Sequence, residues 1–556
     1  MTDAPPKIPP KIADLLQQGL FHHRQGDLRS AIERYSEVLR IDPDNADALY
    51  YAAVIACQED QLKEGLSLAR RSLEHGPQAR THNLIGKALE REGDHLEAVK
   101  AFEAAIALDA DYAEAHGNRA AILAEAGLAA EALKGFDRAL ALDPAAATDW
   151  INRGALLQKI GRHEEALASY EKALTLVPDE PTFQMNRANA LASLGRYGEA
   201  ERLYDAILAR APKAAIAMAH KALAMKMQGR LSEARVLLDQ AHKIEPKNAA
   251  VAVPLAELML LSGEWRPAWP LYEARATLPR PPFRPLPGER WQGQPAGDFR
   301  LVVLCEDDPG EAVLFARYAS LLAGRGHAVT VLAPPLLAPL LRTLPGIERV
   351  IGDPAALDDD KRRYLWTPLC STPRLLHLTA DNVPEQAPYL SADPARAKAM
   401  AERIGGDGFK VGLVWREGAA GVPLSAFAPL ADVPGVRLVS LQKGPAAGEI
   451  APVGFEAAIV QPLDPKAIGP EALADLAAVI SQLDLVVAVD SLAAHVAGAL
   501  GKPVYLALPP IPSWHWLTGR DETPWYPDMR LFRRDGGGDW PAVFARMAEA
   551  LRERMA

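Results

Sequence analysis

Cysteine is scarce. Cys57, Cys305 and Cys370 are the only three among 556 residues, far apart and without a CxxC pair. That excludes a disulfide framework and zinc sites of the usual spacing, and it suits a reducing compartment. Positive charge is also in deficit. The formal net charge is -10 with no long basic run, which argues against a protein held on nucleic acid by phosphate contacts. Long apolar runs are missing. The greasiest stretch, Val329 to Leu341, is too short to span a bilayer and contains three prolines. The amino-terminal segment MTDAPPKIPPKIADLL has no apolar core of an export signal, so the chain is expected to be cytoplasmic, with no membrane span. Extended disorder is excluded by a composition of 49% hydrophobic and 24% charged residues. The length allows about three to five compact domains, fewer if part of it is an array.

What the sequence does contain is a period. Small residues recur at Ala31, Gly65, Ala98, Ala132, Ala166, Ala200, Ala234 and Ala268, spaced 34, 33, 34, 34, 34, 34 and 34. Four positions after each stands Tyr35, Ala69, Phe102, Phe136, Tyr170, Tyr204, Leu238 or Tyr272. A proline closes most units (Pro43, Pro77, Pro144, Pro178, Pro212, Pro246), and Gly-Asp or Gly-Arg pairs such as Gly93-Asp94 and Gly161-Arg162 fall between two amphipathic stretches. Each unit reads as a helical hairpin whose small anchor permits close approach and whose ring fills the gap. The pattern resembles the tetratricopeptide repeat over residues 12–276, after a tail at 1–11. The resemblance implies about eight units stacked into an α-solenoid with a concave groove for a polypeptide. Asn118, Asn152 and Asn186 recur at one point of three successive first helices. Such a ladder of amides suits the backbone of an extended peptide, as does a similar ladder in O-GlcNAc transferase. The alternative is that they bond neighbouring repeats.

Residues 277–297 are rich in proline and glycine and read as an extended connector, with Trp291 docking onto a neighbouring domain. Beyond it, short apolar β-branched runs alternate with helical stretches: 299–305, 327–333, 347–351, then 409–415, 436–442, 456–460, 483–490 and 502–508. Alternation of this kind gives parallel sheets, here two Rossmann-like domains at 298–405 and 406–556, the last ending in a helix at Trp540 to Met555. The fold class is therefore α plus α/β.

Ligands of parallel sheets sit beyond the carboxyl ends of the strands. Three loops stand out there: VVAVDSLAAHVAGALGKPV (486–504), SLQKGP (440–445) and the aromatic PSWHWLTGRDETPWYP (512–527). They resemble the nucleotide-sugar half of GT-B glycosyltransferases of the heptosyltransferase type (family 9), in the form fused to repeats in bacterial proteins. The resemblance implies that Asp490, Ser491 and His495 meet the sugar or phosphates of the donor and that Lys443, with Gln442, meets its phosphate. Trp415 and Arg416 belong to the same expected donor site. In that family the first strand runs into a loop ending in a catalytic aspartate; here the loop reads Glu306-Asp307-Asp308-Pro309-Gly310-Glu311, which makes Glu311, or else Glu306 or Asp308, the expected base. Alternatively, Asp490 could cap the helix after it and His495 could be a core histidine, while Trp514, Trp516, Trp525 and Tyr526 could stack on a base or simply pack. Asp358-Asp359-Asp360 reads as a solvated loop, and no metal site is expected.

Together these imply a metal-independent protein O-glycosyltransferase without a resident cofactor. The repeats would hold the acceptor, and sugar would pass from a nucleotide donor to Ser or Thr. Bacterial flagellin glycosyltransferases share the architecture, which points to flagellin as acceptor and a CMP-linked nonulosonic acid as donor. The rivals are a non-catalytic repeat scaffold and a transferase acting on lipopolysaccharide-type saccharides.

Overall fold

A computed structural model describes residues 10–279, 281–357, 363–384, 387–417, 420–536 and 538–556. The Asp358-Asp359-Asp360 run lies outside the described residues. The chain divides into two compact units, one ending at Ile207 and the other beginning at Leu208, so the division falls inside the repeat array and not at the connector. Among the described residues no helix is long and apolar enough to cross a membrane.

Sixteen described helices run in sequence from Pro10–Arg24 to Trp265–Tyr272; the first has 15 residues, the last 8, and the others 13 or 14. The first begins inside the stretch read as a tail. The periodic residues explain the hairpins. Every anchor, from Ala31 to Ala268, is buried, and so are its partners from Tyr35 to Tyr272. The ring of Phe102 lies where a Cβ on Gly86 would stand, 2.5 Å away, and Tyr170 relates to Gly154 in the same way. Glycine in one helix thus makes room for an aromatic in the next, and burying each such ring contributes roughly 1.5–3 kcal/mol. The turn inside a hairpin needs a left-handed residue, which Gly93 (φ 85°) and Gly161 (φ 80°) provide.

The second unit carries two parallel sheets. The first comprises β1 (Arg300–Leu304), β2 (Ala328–Leu332), β3 (Arg349–Ile351) and β4 (Tyr364–Pro368), in the order β3-β2-β1-β4. The β4 strand, YLWTP, is not signalled by the sequence, because it ends in a proline. The Trp291 amide donates to the Trp366 carbonyl at 2.8 Å, a bridge of Arg290 to Trp366 extends the free edge of β4, and the Trp291 ring is buried.

β5 (Phe409–Val414) begins the larger sheet; β6 (Arg416–Glu417) and β7 (Ala420–Gly421) pair as a separate two-stranded ladder, and β8 (Val436–Ser440), β9 (Ile459–Val460), β10 (Leu485–Val489), β11 (Val504–Leu508) and β12 (Met529–Arg533) complete the larger sheet. Its six-stranded order is β12-β11-β10-β5-β8-β9, all parallel. Winding reverses between β5 and β10, and a crevice for ligands opens past the strand ends at such a point. β10 and β11 are buried along their whole length, as continuous Val/Leu/Ala runs require. The closing helix Trp540–Met555 packs Phe544 against Phe427 under this sheet.

Candidate functional site

A cleft of about 1170 Å³ opens at the carboxyl end of the larger sheet. Val414 from the end of β5, Lys443 after β8, Gly469 at the start of helix Pro470–Ser481, and Leu492 and Ala493 at the start of helix Leu492–Ala499 line it. Leu336, from the segment after β2, lines it as well. Lys443 is half-buried, and among the described residues its ammonium has no hydrogen-bond or ion-pair partner. Burial lowers its pKa, while Asp475 and Asp464 pull the other way. The helix start is shaped by Ser491, whose hydroxyl donates to the Val489 carbonyl at 2.9 Å and accepts from the Ala494 amide at 3.4 Å. The amides of Leu492 and Ala493 have no backbone acceptor among the described residues, and they sit at the positive end of the helix. This is an anion-binding arrangement with one free lysine.

The other residues expected at the donor lie nearby in supporting positions. Ser491 is the helix cap, in place of Asp490, and its hydroxyl is already used. Gln442 is spent on backbone: Oε1 accepts from the Trp415 and Arg416 amides at 3.1 and 3.0 Å, and Nε2 donates to the Arg416 and Lys443 carbonyls at 3.0 and 3.1 Å. It ties the loop after β5 to the loop after β8. Arg416 lines the cleft but is paired with Glu449 at 3.1 Å. Trp415 is fully buried beneath the sheet.

Asp490 belongs to a separate polar chain. Its Oδ2 accepts from the Ser513 hydroxyl at 2.8 Å; Ser513 Oγ lies 3.3 Å from His515 Nδ1; His515 Nε2 lies 3.1 Å from Glu311 Oε1. The proton count fixes the roles. The single Ser513 proton goes to a carboxylate, so Oγ accepts from His515 Nδ1, and Glu311 accepts from Nε2. Burial works against a charge on His515, but Glu311, then Asp490 and Asp308, raise its pKa above the ordinary value. Burial likewise works to raise Glu311, yet the hydrogen bonds of His515 and Cys370 and the nearby Arg275 hold it below the usual carboxylate range. Glu311 also accepts from the Tyr272 hydroxyl at 3.1 Å and the Cys370 thiol at 3.4 Å. His495 is a buried histidine that stacks on Trp516 at 5.1 Å and meets the Tyr526 hydroxyl through Nδ1 at 3.1 Å. Burial lowers its pKa to about 4, so it is neutral.

Glu306, 2% exposed, is clamped by Arg275 through two bonds of 2.8 and 2.7 Å and takes the Cys370 amide at 3.2 Å. The geometry makes it an ion-pair anchor. Asp308 is exposed and caps helix Pro309–Gly324, accepting from the Glu311 amide at 2.8 Å. A carboxylate absent from the sequence reading, Glu417 on β6, lines the cleft, and its pKa is raised by partial loss of water and then by Asp490 and Asp308.

The aromatic loop packs inward and does not stand open for a base. Trp525 stacks on Trp265 at 4.8 Å, and Trp514 meets Trp269, Tyr272 and Phe315 at 5.8, 5.9 and 6.2 Å. Arg317, 1% exposed, donates to the Trp525 carbonyl at 2.6 Å and lies over the Tyr389 and Tyr526 rings.

In the first unit, Asn118, Asn152 and Asn186 are half-buried on helices Ala113–Glu125, Ala147–Lys159 and Pro181–Ser193. Asn118 bonds the preceding repeat, donating to Asn83 at 3.1 Å. Asn152 and Asn186 have no side-chain partner among the described residues. The adjacent arginines are structural: Arg119, Arg153 and Arg187 pair with Glu103, Asp137 and Glu171 of the helix before, at 2.8, 2.8 and 3.2 Å. Asp149 packs against Gly117, and its pKa rises to about 6 through burial and then Asp143 and Glu114.

Two tetratricopeptide-repeat family models match the chain, one over residues 83–147 and 151–215, the other over 22–88 and 226–271. Protein FlbA of Caulobacter vibrioides is 31% identical over 327 residues, 54% of this chain and 54% of its own length. The chain therefore spans about half the length of that curated relative. Among solved structures, YrrB, titled a TPR protein with an unusual peptide-binding site, is 23% identical over 30% of this chain and 86% of its own, with a TM-score of 0.26. PilF of Pseudomonas aeruginosa is 20% identical over 36% of this chain and 92% of its own, with a TM-score of 0.34. The matched family segments coincide with the helical hairpins, and the chain carries tetratricopeptide repeats between residues 22 and 271.

Proposed function

We propose that the chain is a protein O-glycosyltransferase of GT-B type, in which the repeats hold the acceptor polypeptide and the α/β half binds a nucleotide sugar. The observation that carries the reading is a cleft lined both by Lys443, unpartnered among the described residues, and by Leu492 and Ala493, whose amides open a helix. In that cleft the acceptor hydroxyl oxygen attacks the anomeric carbon, its proton passes to a carboxylate, and the bond to the donor phosphate breaks. Lys443 and the amides of Leu492 and Ala493 stabilise the charge that develops on the leaving phosphate. The partnerless amides of Asn152 and Asn186 suit an extended acceptor chain. Flagellin is the favoured acceptor and a CMP-linked nonulosonic acid the favoured donor, on likeness of architecture.

A second reading, a non-catalytic repeat scaffold, draws on the full engagement of Glu306 and Glu311. Intact-mass analysis of flagellin from cells with the gene deleted, and then restored as wild type or as Lys443→Ala, separates the two. The transferase reading expects a sugar-sized mass loss on deletion, restored by the wild type and not by the variant. Unchanged flagellin and unchanged masses of other cellular proteins would favour the scaffold.

A further inference from the structure

Direct transfer needs a carboxylate that is free to take the acceptor proton, and the loop after β1 does not offer one. Both Glu306 oxygens are held by Arg275. Glu311 accepts from Tyr272, Cys370 and His515, and these donors stabilise the ionised form and weaken it as a base. One Asp308 oxygen is occupied as a helix cap. Glu417 differs on each count. It follows directly on β5, the strand at which the sheet's winding reverses, and the β6–β7 pairing places it opposite Ala420. It lines the same cleft as Lys443, and among the described residues its carboxylate has no hydrogen-bond or ion-pair partner. The charged groups that act on it come from two other elements, Asp490 after β10 and Asp308 ahead of helix Pro309–Gly324; Lys443 lines the same cleft, and the neighbouring Arg416 is paired with Glu449. Two negative neighbours make ionisation of Glu417 harder and so make it a stronger base near neutral pH than an isolated glutamate.

We propose that Glu417 is the general base, accepting the proton of the acceptor hydroxyl in the Lys443 cleft. The proposal rests on the nucleotide-sugar reading of that cleft. The step balances without another reagent. A lone pair of the hydroxyl oxygen forms the new bond to the anomeric carbon, the O–H pair stays on that oxygen as the proton moves to Glu417, and the pair of the broken carbon–oxygen bond leaves on the phosphate. Glu417 then returns its proton to water.

The test compares wild type, Glu417→Gln, Glu417→Asp and Glu311→Gln in the full chain. Calorimetry with UDP, GDP, ADP and CMP reports the cleft, and flagellin mass in gene-deleted cells carrying each variant reports transfer. Thermal melting checks folding. Glu417→Gln should bind the preferred nucleotide about as tightly as wild type while transfer falls about 100-fold or more, with partial recovery in Glu417→Asp. Transfer by Glu417→Gln within a few-fold of wild type overturns the proposal and leaves the nucleotide-sugar reading standing. If wild type binds none of the four nucleotides and modifies nothing, both fall together. A Glu417→Gln that loses nucleotide binding along with transfer also overturns it, because the residue would then serve the donor and not the proton.

Discussion

The repeats and the parallel-sheet half are stabilised by different means. In the hairpins a ring fills the place of a missing side chain, as Phe102 does beside Gly86, and the charged pairs lie on the outside, like Arg162 with Glu165. In the second half charge is taken inside: Arg275 with Glu306, His515 with Glu311, and Arg317 among rings and carbonyls. Exposed pairs contribute little, while a buried pair stripped of one partner leaves an uncompensated charge. The array should therefore be sensitive to volume and the α/β half to charge.

The sharpest way to break this contrast is Arg275→Met. It strands the Glu306 carboxylate with the Cys370 amide as its remaining donor, and should lower unfolding free energy by about 3–5 kcal/mol in urea. If the loss is under about 1 kcal/mol, buried charge is not what distinguishes this half. Next comes Gly86→Ala, whose Cβ would meet the Phe102 ring at 2.5 Å. Overpacking of this kind should cost about 1–3 kcal/mol, and a Phe102→Leu partner should recover part of it. The smallest effect concerns Asp149, a carboxylate of the array that burial strips of water. Its folded pKa of about 6 lies above the ordinary carboxylate value of 3.8. The folded state holds the proton more tightly, so this group favours folding below the unfolded pKa and the benefit is lost as pH rises toward 6. Asp149→Asn should thus stabilise the protein at pH 7.5, by about 1 kcal/mol after solvent screening, and have little effect at pH 3.5. Equal shifts at both values would show that the carboxylate is not strained.

The same contrast explains what could be read in advance. Ala132 with Phe136 was legible because its relation is repeated eight times with little change, and the fold repeats with it. The sheet strands were legible as short buried runs; β4 was not, because a proline, Pro368, stands in it. The polar site resisted reading because its partners are remote. His515 meets Glu311 from 204 positions away, and Trp525 stacks on Trp265 from the last repeat. A loop of tryptophans in sequence does not say whether it awaits a base or a neighbouring helix. Aspartate and serine at 490–491 look interchangeable as caps, and the strand end decides that Ser491 turns inward. Glu417 carries no signal in the sequence, because the carboxylates that act on it, Asp308 and Asp490, lie more than seventy positions away along the chain.

The central claim is that the Lys443 cleft takes an activated sugar by its phosphate. Calorimetric titration of the intact chain with UDP, GDP, ADP and CMP tests it most directly. The account predicts saturable one-site binding of at least one of them, weakened tenfold or more, about 1.4 kcal/mol, in Lys443→Ala. Binding of none, or equal affinity in the variant, would contradict it.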